Sequence, residues 1–294
     1  MSTDYFHCRT KFQALPGVRT VRSGPYSFDL PPGPVQDFLA EHFAEIDAMI
    51  EDGRHTKTSH GTHAAVFTIP GGRDLFIKCN VNRGLKFTAK YFFVPARVFR
   101  AALAAKCVEE AGVATPHVLA AGEKRSGRIL QGGYLVTEAV PDTRDLLTHM
   151  VNSPEAPADA AELIRETAGI AAKLHGRGIY HGDLKLVNVY RSGNKAPCGV
   201  WDLDSAQLFP ARIPRKLIVR ELGRIVSSIV ICAEQNPAFP DDFFNLNRIA
   251  RDLLDAYSAS SGTPSPSPDE VMDAARKRWL SKSGLRFDYG GKTA

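Results

Sequence analysis

The sequence predicts an α+β chain in two lobes, a small antiparallel sheet in the first and a mainly helical second. Three observations carry the prediction. Short strand-like segments joined by glycine and proline turns occupy much of residues 64–138. Helical periodicity takes over beyond Pro141. Between helical stretches lies a run rich in acids and amides, HGDLKLVN at 181–188 and WDLDSA at 201–206, with the acids of the second segment directly after the apolar strand 199–201.

Composition bounds the answer. At 294 residues and 44% hydrophobic content, the chain can bury a sizeable core, and its length suits two lobes of one fold better than two independent domains. The longest apolar run, 225–232, is broken by Ser227 and Ser228 and falls far short of the roughly 20 residues a membrane span needs. The opening MSTDYFHCRTKF lacks the basic-then-apolar order of a secretory signal. Cys8, Cys79, Cys107, Cys198 and Cys232 show no CxxC or CxxH spacing, which points to reduced thiols in a cytoplasmic protein and away from structural zinc.

Residues 1–55 read as an added strand and helix. Residues 18–28 alternate loosely, and 34–50 carry Val35, Phe38, Leu39, Phe43, Ile46 and Ile50 at helical spacing behind Pro34. Residues 56–140 form the first lobe. Strands at 64–69 and 75–80 flank the turn Pro70, Gly71, Gly72, Arg73; a helix at 95–112 ends on Gly112, and strands follow at 128–130 and 134–138. Residues 141–257 form the second lobe, with helices at 160–174 and 215–231. Beyond them, 258–268 (SASSGTPSPSP) reads as a linker and 269–280 as a last helix in the tail 258–294.

Lys78 is the first residue that packing does not explain. An ammonium between Phe76, Ile77 and Cys79 is costly to bury unless it faces an anion; the other reading is an edge-strand lysine that blocks aggregation.

The polar run then supplies a chemistry. Asp183 could accept a proton from an attacking hydroxyl, and Lys185 could sit on transferring phosphoryl oxygens. Asn188 with Asp202 could hold the Mg²⁺ that bridges ATP phosphates. Phosphoryl transfer asks a protein mainly for positioning and electrostatic stabilisation, so its groups must sit on rigid pieces. A short loop carries Asp183 and Asn188, while Asp202 ends the apolar strand Gly199, Val200, Trp201. Mg²⁺ takes one or two such oxygen donors plus substrate phosphates. Any one of these residues alone reads as a turn or cap, and His181 reads as a loop-holding residue; the ordered set reads as a phosphotransfer site.

FIKC, the helix leading to AGVATPHVLAAGE, then YLVTEAVPDTRDL, HGDLKLVNV and WDLDSA together resemble the protein-kinase-like superfamily, and within it the lipopolysaccharide kinase family of Kdo/WaaP type, over residues 56–230. The resemblance implies a bilobal kinase with a small antiparallel-sheet N-lobe and a helical C-lobe. It implies transfer of the γ-phosphate of ATP to an inner-core sugar hydroxyl of lipopolysaccharide, heptose or Kdo, at the inner face of the inner membrane. It makes Asp183 the base, Lys185 and Lys78 the phosphate contacts, Asn188 and Asp202 the metal ligands, and Glu138 and Ala139 part of the hinge that meets adenine.

Two positions depart from the pattern. The helix glutamate that orients the strand lysine in many kinases aligns with Ala101, and Glu109 and Glu110 lie too near the helix end to replace it. The segment SHGTHAA around Gly61 has one glycine where GxGxxG is common, and Asp204 stands where many protein kinases have glycine. Only residues 205–214 separate the DLD segment from the next helix, which leaves little room for a polypeptide acceptor and favours a glycan or other small hydroxyl compound.

The net charge of +5 includes two basic groups. Arg83, Lys86, Lys90, Arg97 and Arg100 interleave with aromatics and could meet anionic lipid, or else form a solvated helix over a core. Arg212, Arg215, Lys216, Arg220 and Arg224 suit an acidic substrate. No nucleic-acid-reading module accompanies them. Two other function classes stay open: a small-molecule phosphotransferase of aminoglycoside or choline kinase type, in which histidine is common at the position of Lys185, and a nucleotide-binding pseudokinase, which Ala101 favours.

Overall fold

The computed structural model describes residues 7–59, 61–82, 84–193, 197–240, 246–261 and 265–283. The chain divides into two compact units. The first comprises Met1–Glu110, Thr115–Pro141 and Asp202–Pro210; the second comprises Ala111–Ala114, Asp142–Trp201 and Ala211–Ala294.

In the first unit, α1 (Cys8–Gln13) precedes the hairpin β1 (Arg19–Ser23) and β2 (Tyr26–Leu30). Then come α2 (Gln36–His42), α3 (Ile46–Asp52), β3 (Arg54–Ser59), β4 (Thr62–Thr68) and β5 (Asp74–Val81), followed by α4 (Leu85–Tyr91), α5 (Val98–Glu110), β6 (Val118–Ser126) and β7 (Ile129–Glu138). One seven-stranded sheet in the order β1-β2-β6-β7-β5-β4-β3 takes up all these strands, each antiparallel to its neighbour. The N-terminal segment expected to be an appendage is thus part of the main sheet.

Three local readings change. The helix expected over 34–50 is broken by the 3₁₀ turn Phe43–Glu45, which no proline or glycine announces; Leu39, Phe43, Ile46, Met49 and Ile50 all join one core with Leu75, Ile77 and Val136. The strand β6 lies between the helix ended by Gly112 and the strands expected from 128 on, where no strand was expected. All six residues from Val118 to Glu123 are buried, so both faces are covered and the alternating signal of a half-exposed strand is missing. Gly122 lies opposite Phe28, whose ring comes within 2.3 Å of where a Cβ would stand, so the ring fills the space above the glycine. The helix α1 was also unforeseen: Arg9 reaches Asp29 at 2.9 Å and Glu123 at 2.7 Å and lies 4.4 Å from the centre of the Phe99 ring on α5.

The second unit contains β8 (Thr143–Asp145), α6 (Leu146–Asn152), α7 (Ala156–Gly176), β9 (Ile179–Tyr180), β10 (Val189–Ser192), β11 (Gly199–Val200), α8 (Arg215–Ala233), α9 (Leu246–Ser261) and α10 (Pro268–Ser283). Asp145 caps α6 by accepting from the Thr148 amide at 2.8 Å. Strands β11, β10 and β8 form a small sheet, α7 packs on α9, and α8 packs on α10. A Cβ on Gly223 would fall 2.7 Å from that of Ala274, so α8 and α10 cross closely at this glycine. The helix α9 runs to Ser261, four residues into the stretch read as linker, and buries Ile249, Leu253 and Tyr257 at helical spacing. The chain returns to the first unit at the 3₁₀ turn Leu203–Ser205 and β12 (Gln207–Leu208).

Among the described residues, no helix is long and apolar enough to cross a membrane. All five cysteines are free thiols.

Candidate active site

The predicted site residues fall into two groups. Asp183, Lys185 and Asn188 lie in the second unit, and Lys78, Asp202, Glu138 and Ala139 in the first.

The loop bearing Asp183 is anchored from beneath by a residue that sequence reasoning missed. Glu221 on α8 is fully buried and accepts hydrogen bonds from the amides of His181 at 3.1 Å and Gly182 at 2.6 Å. His175 Nε2 lies 3.1 Å from the same carboxylate, and its Nδ1 lies 3.0 Å from the Tyr257 hydroxyl. Burial alone would raise the Glu221 pKa, but the hydrogen bond and charge of His175, the charge of His181 and the Gly182 amide outweigh it and hold it below the usual value. One turn later, Arg224 donates to the Gly182 carbonyl, so a single turn of helix grips the loop by both its amides and a carbonyl. His181 donates from Nε2 to the Trp201 carbonyl at 3.1 Å and accepts from the Asp183 amide at Nδ1 at 3.4 Å. It holds the loop, as its sequence position suggested.

Cationic groups converge on Asp183. Lys185 Nζ lies 2.9 Å from Oδ2, Arg224 lies 3.1 Å from Oδ1, and Arg278 of α10 approaches the same oxygen at 3.7 Å. Asn188 donates from Nδ2 to the Asp183 carbonyl at 2.9 Å and to its carboxylate at 3.2 Å. Its amide oxygen is therefore the atom that could meet a metal. Arg278 had no motif to announce it; it sits in the last helix, nearly a hundred residues after Asp183. Burial and the neighbouring Arg224 push its guanidinium below the ordinary pKa.

In the first unit Lys78 has anionic partners. Strand β5 runs between β7 and β4, so the edge-strand reading of this lysine does not hold. Nζ lies 2.6 Å from Asp202 Oδ1 and 3.0 Å from Asp204 Oδ2. Burial alone would lower the Lys78 pKa; the charges of Asp204 and Asp202, with their hydrogen bonds, outweigh it and raise it. Asp202 adopts a left-handed backbone, φ 60° and ψ 55°, at which the chain enters the short 3₁₀ turn carrying Asp204. Arg97, immediately before α5, comes within 3.2 Å of Asp204 Oδ2, while Arg100 on the helix donates to its carbonyl. Ala101 is buried on the same helix, and Glu109 pairs with Lys106 and His117.

Glu138 ends β7 and Ala139 follows it. The Glu138 amide donates to the His117 carbonyl at 2.9 Å and the Ala139 amide to the Asp74 carbonyl at 3.1 Å. The Glu138 carboxylate pairs with Arg73 at 3.2 Å on the surface. Both amide donors are thus engaged within the sheet. Gly61 lies at the β3–β4 turn; its neighbour His60, like Arg83, lies outside the described residues.

The arrangement gives an acid among cations on a rigid loop and, separately, a lysine between two acids. These are the parts that phosphoryl transfer uses. A family model described as the lipopolysaccharide kinase (Kdo/WaaP) family matches residues 54–245. Among solved structures, WaaP in complex with acyl carrier protein aligns with a TM-score of 0.59 at 20% identity, over 87% of this chain and 96% of that one. A glucosamine kinase in complex with glucosamine, ADP and inorganic phosphate aligns at 0.46 and 14% identity, over 90% of each. No curated protein sequence matches the chain. The family match covers well over half of the chain, and the likeness to WaaP shows the bilobal kinase-like α+β fold; the chain belongs to the lipopolysaccharide kinase (Kdo/WaaP) family and is a nucleotide-using phosphotransferase that acts on sugar hydroxyls.

Proposed function

We propose that the chain transfers the γ-phosphate of ATP to a hydroxyl of an inner-core sugar of lipopolysaccharide, heptose or Kdo. The observation that carries the reading is the environment of Asp183: a carboxylate on a loop fixed by Glu221 and Arg224, with Lys185 at 2.9 Å. Asp183 takes the proton from the acceptor hydroxyl, and Lys185 and Lys78 contact phosphoryl oxygens. The Asn188 amide and the Asp202 carboxylate are hard oxygen donors of the kind and number Mg²⁺ accepts beside nucleotide phosphates, and this metal would supply charge neutralisation between the phosphates. Glu138 and Ala139 remain the candidate adenine contacts, through groups other than their amides. Arg278 and Arg224 give the Asp183 loop an excess of positive charge suited to an anionic glycan. The pseudokinase reading rested on Ala101; Lys78 pairing with Asp202 and Asp204 weakens it.

The same reading places the enzyme in the cytoplasm, in peripheral contact with the inner face of the inner membrane. Leu85, Phe93 and Ile129 are large apolar side chains with 89%, 72% and 44% of their surface exposed. Asn82 donates to the Leu130 carbonyl at 2.9 Å and accepts from the Gly84 amide at 2.8 Å, which fixes the start of α4 beside β7; Arg128 lies 5.8 Å from the Phe93 ring. No acid occurs between residues 81 and 108, so α4, which carries Lys86 and Lys90, has no acidic side chain of its own, and Arg128 lies beside Phe93. Such a surface suits anionic lipid. Arg97 and Arg100, grouped with it in the sequence, are engaged at Asp204 instead.

The direct test incubates the protein with labelled ATP and Mg²⁺ and offers purified core oligosaccharide beside generic protein acceptors. Label in the oligosaccharide, lost in Asp183→Ala, supports the proposal; robust protein labelling with inert oligosaccharide contradicts it, and transfer to aminoglycoside or choline alone moves the assignment to a small-molecule phosphotransferase.

A further inference from the structure

We propose that Asp204 is a positioning residue that orients Lys78 toward the nucleotide, in place of the helix glutamate that this chain lacks. The inference rests on the kinase reading of Lys78. Two departures that looked unrelated in sequence, an alanine at 101 and an acid at 204, are joined by geometry: Lys78 Nζ lies 3.0 Å from Asp204 Oδ2.

Lys78 has two carboxylate partners, and they are not equivalent. The Asp202 side chain is 36% exposed, whereas that of Asp204 is 12% exposed. Arg97 holds the Asp204 carboxylate at 3.2 Å, and Arg100 holds its backbone carbonyl. Arg97 also donates to Asn80 on β5, two residues from Lys78, so strand, helix and turn form one connected network. When Asp202 turns to a metal, Asp204 is the anchored carboxylate that stays with the lysine. The start of α5 acts on the strand lysine through Arg97, which immediately precedes the helix, and Arg100 within it, which together clamp an acid, rather than through an acid of its own. The left-handed Asp202 opens the tight turn from which the Asp204 carboxylate, two residues on, also reaches Lys78.

The test is a double-mutant cycle in the full chain, with a large drop of ATP turnover in Asp183→Asn as the prior check that the kinase reading holds. Asp204→Asn is expected to lower kcat/KM for ATP by about 10²-fold, the scale of loss when a catalytic group is misplaced. Combining it with Lys78→Met should cost no more than Lys78→Met alone, because Asp204 acts through the lysine. Asp204→Glu should recover at least part of the loss, and the Mg²⁺ activation curve of Asp204→Asn should match wild type. Additive losses in the double variant would overturn the proposal, as would unchanged activity in Asp204→Asn. A Mg²⁺ requirement shifted upward would overturn it too, by making Asp204 a metal ligand. Arg97→Met separates structure from positioning: if it reproduces the whole Asp204→Asn loss together with an equal drop in melting temperature, Asp204 serves only to hold α5, and the proposal fails.

Discussion

Asp183 sits where Lys185, Arg224, Arg278 and Asn188 converge, and this crowding decides what substitution there should do. Asp183→Asn keeps the shape and removes the charge. Its kcat should fall by roughly 10²–10⁴-fold, the usual range for loss of a general base, while nucleotide binding measured by calorimetry stays within a few-fold of wild type. Glu221 makes the second residue-level prediction. Its folded-state pKa is depressed, so its contribution to stability is complete above the unfolded carboxyl value of about 4.3 and disappears as pH falls below that toward the folded value. Thermal unfolding of the wild type should therefore drop steeply below about pH 4.5. Glu221→Gln, which leaves amides of the loop with a poorer acceptor, should lose about 2–4 kcal/mol at pH 7 and show a shallower acid dependence. Among these residues Asp183, Lys185, Asn188 and Asp202 were legible in sequence because their spacing is itself the signal. Glu221 and Arg224, in RELGR, look like ordinary helix surface until the fold turns that side inward, and Arg278 is joined to Asp183 only by tertiary structure.

Elements were legible where one face meets water or where a clear stop signal ends them. The helices α7 and α8 and the hairpin of β4 and β5 emerge from periodicity and turn chemistry within a few residues of their observed bounds, and α5, buried over 98–105, emerges from its helix-forming run ended near Gly112. The failures have physical causes. Strand β6 is buried on both faces and loses its alternation; α2 and α3 are divided by a turn that tertiary packing imposes; α1 is short, and only Cys8 and Phe12 mark its buried face while Arg9 adds ion pairs and a cation–π contact. The short strand β11 shows how tightly an element can be specified. A Cβ on Gly199 would fall 2.6 Å from the Tyr190 ring and 2.7 Å from the Ala114 carbonyl oxygen, and Tyr190 stacks on Trp201 with ring centres 4.7 Å apart. Gly199→Val should destabilise the protein by about 1–3 kcal/mol, read as a lower urea midpoint, and should weaken activity as well because Trp201 carries both the His181 contact and the peptide link to Asp202.

At the scale of the whole molecule, the sequence order of sheet then helices was enough for the fold class, since strands gathered in one half and helices in the other allow few architectures. What it underestimated was the sheet, which recruits the N-terminal hairpin and reaches seven strands. Charge supplies a prediction at this scale. The exposed Leu85, Phe93 and Ile129, with Lys86 and Lys90 on α4 and Arg128 beside Phe93, should bring the protein down with vesicles rich in anionic lipid, weakly with zwitterionic vesicles, and less as salt rises. Leu85→Ser with Phe93→Ser should reduce that sedimentation at least several-fold while leaving turnover of a water-soluble oligosaccharide unchanged. Transfer of phosphate to the glycolipid core is the claim on which the rest depends, and mass spectrometry of cell-envelope glycolipid tests it most directly. Cells lacking the protein should show core species short of one phosphate, restored by the wild-type chain but not by Asp183→Ala; a glycolipid identical with and without the protein would contradict the account.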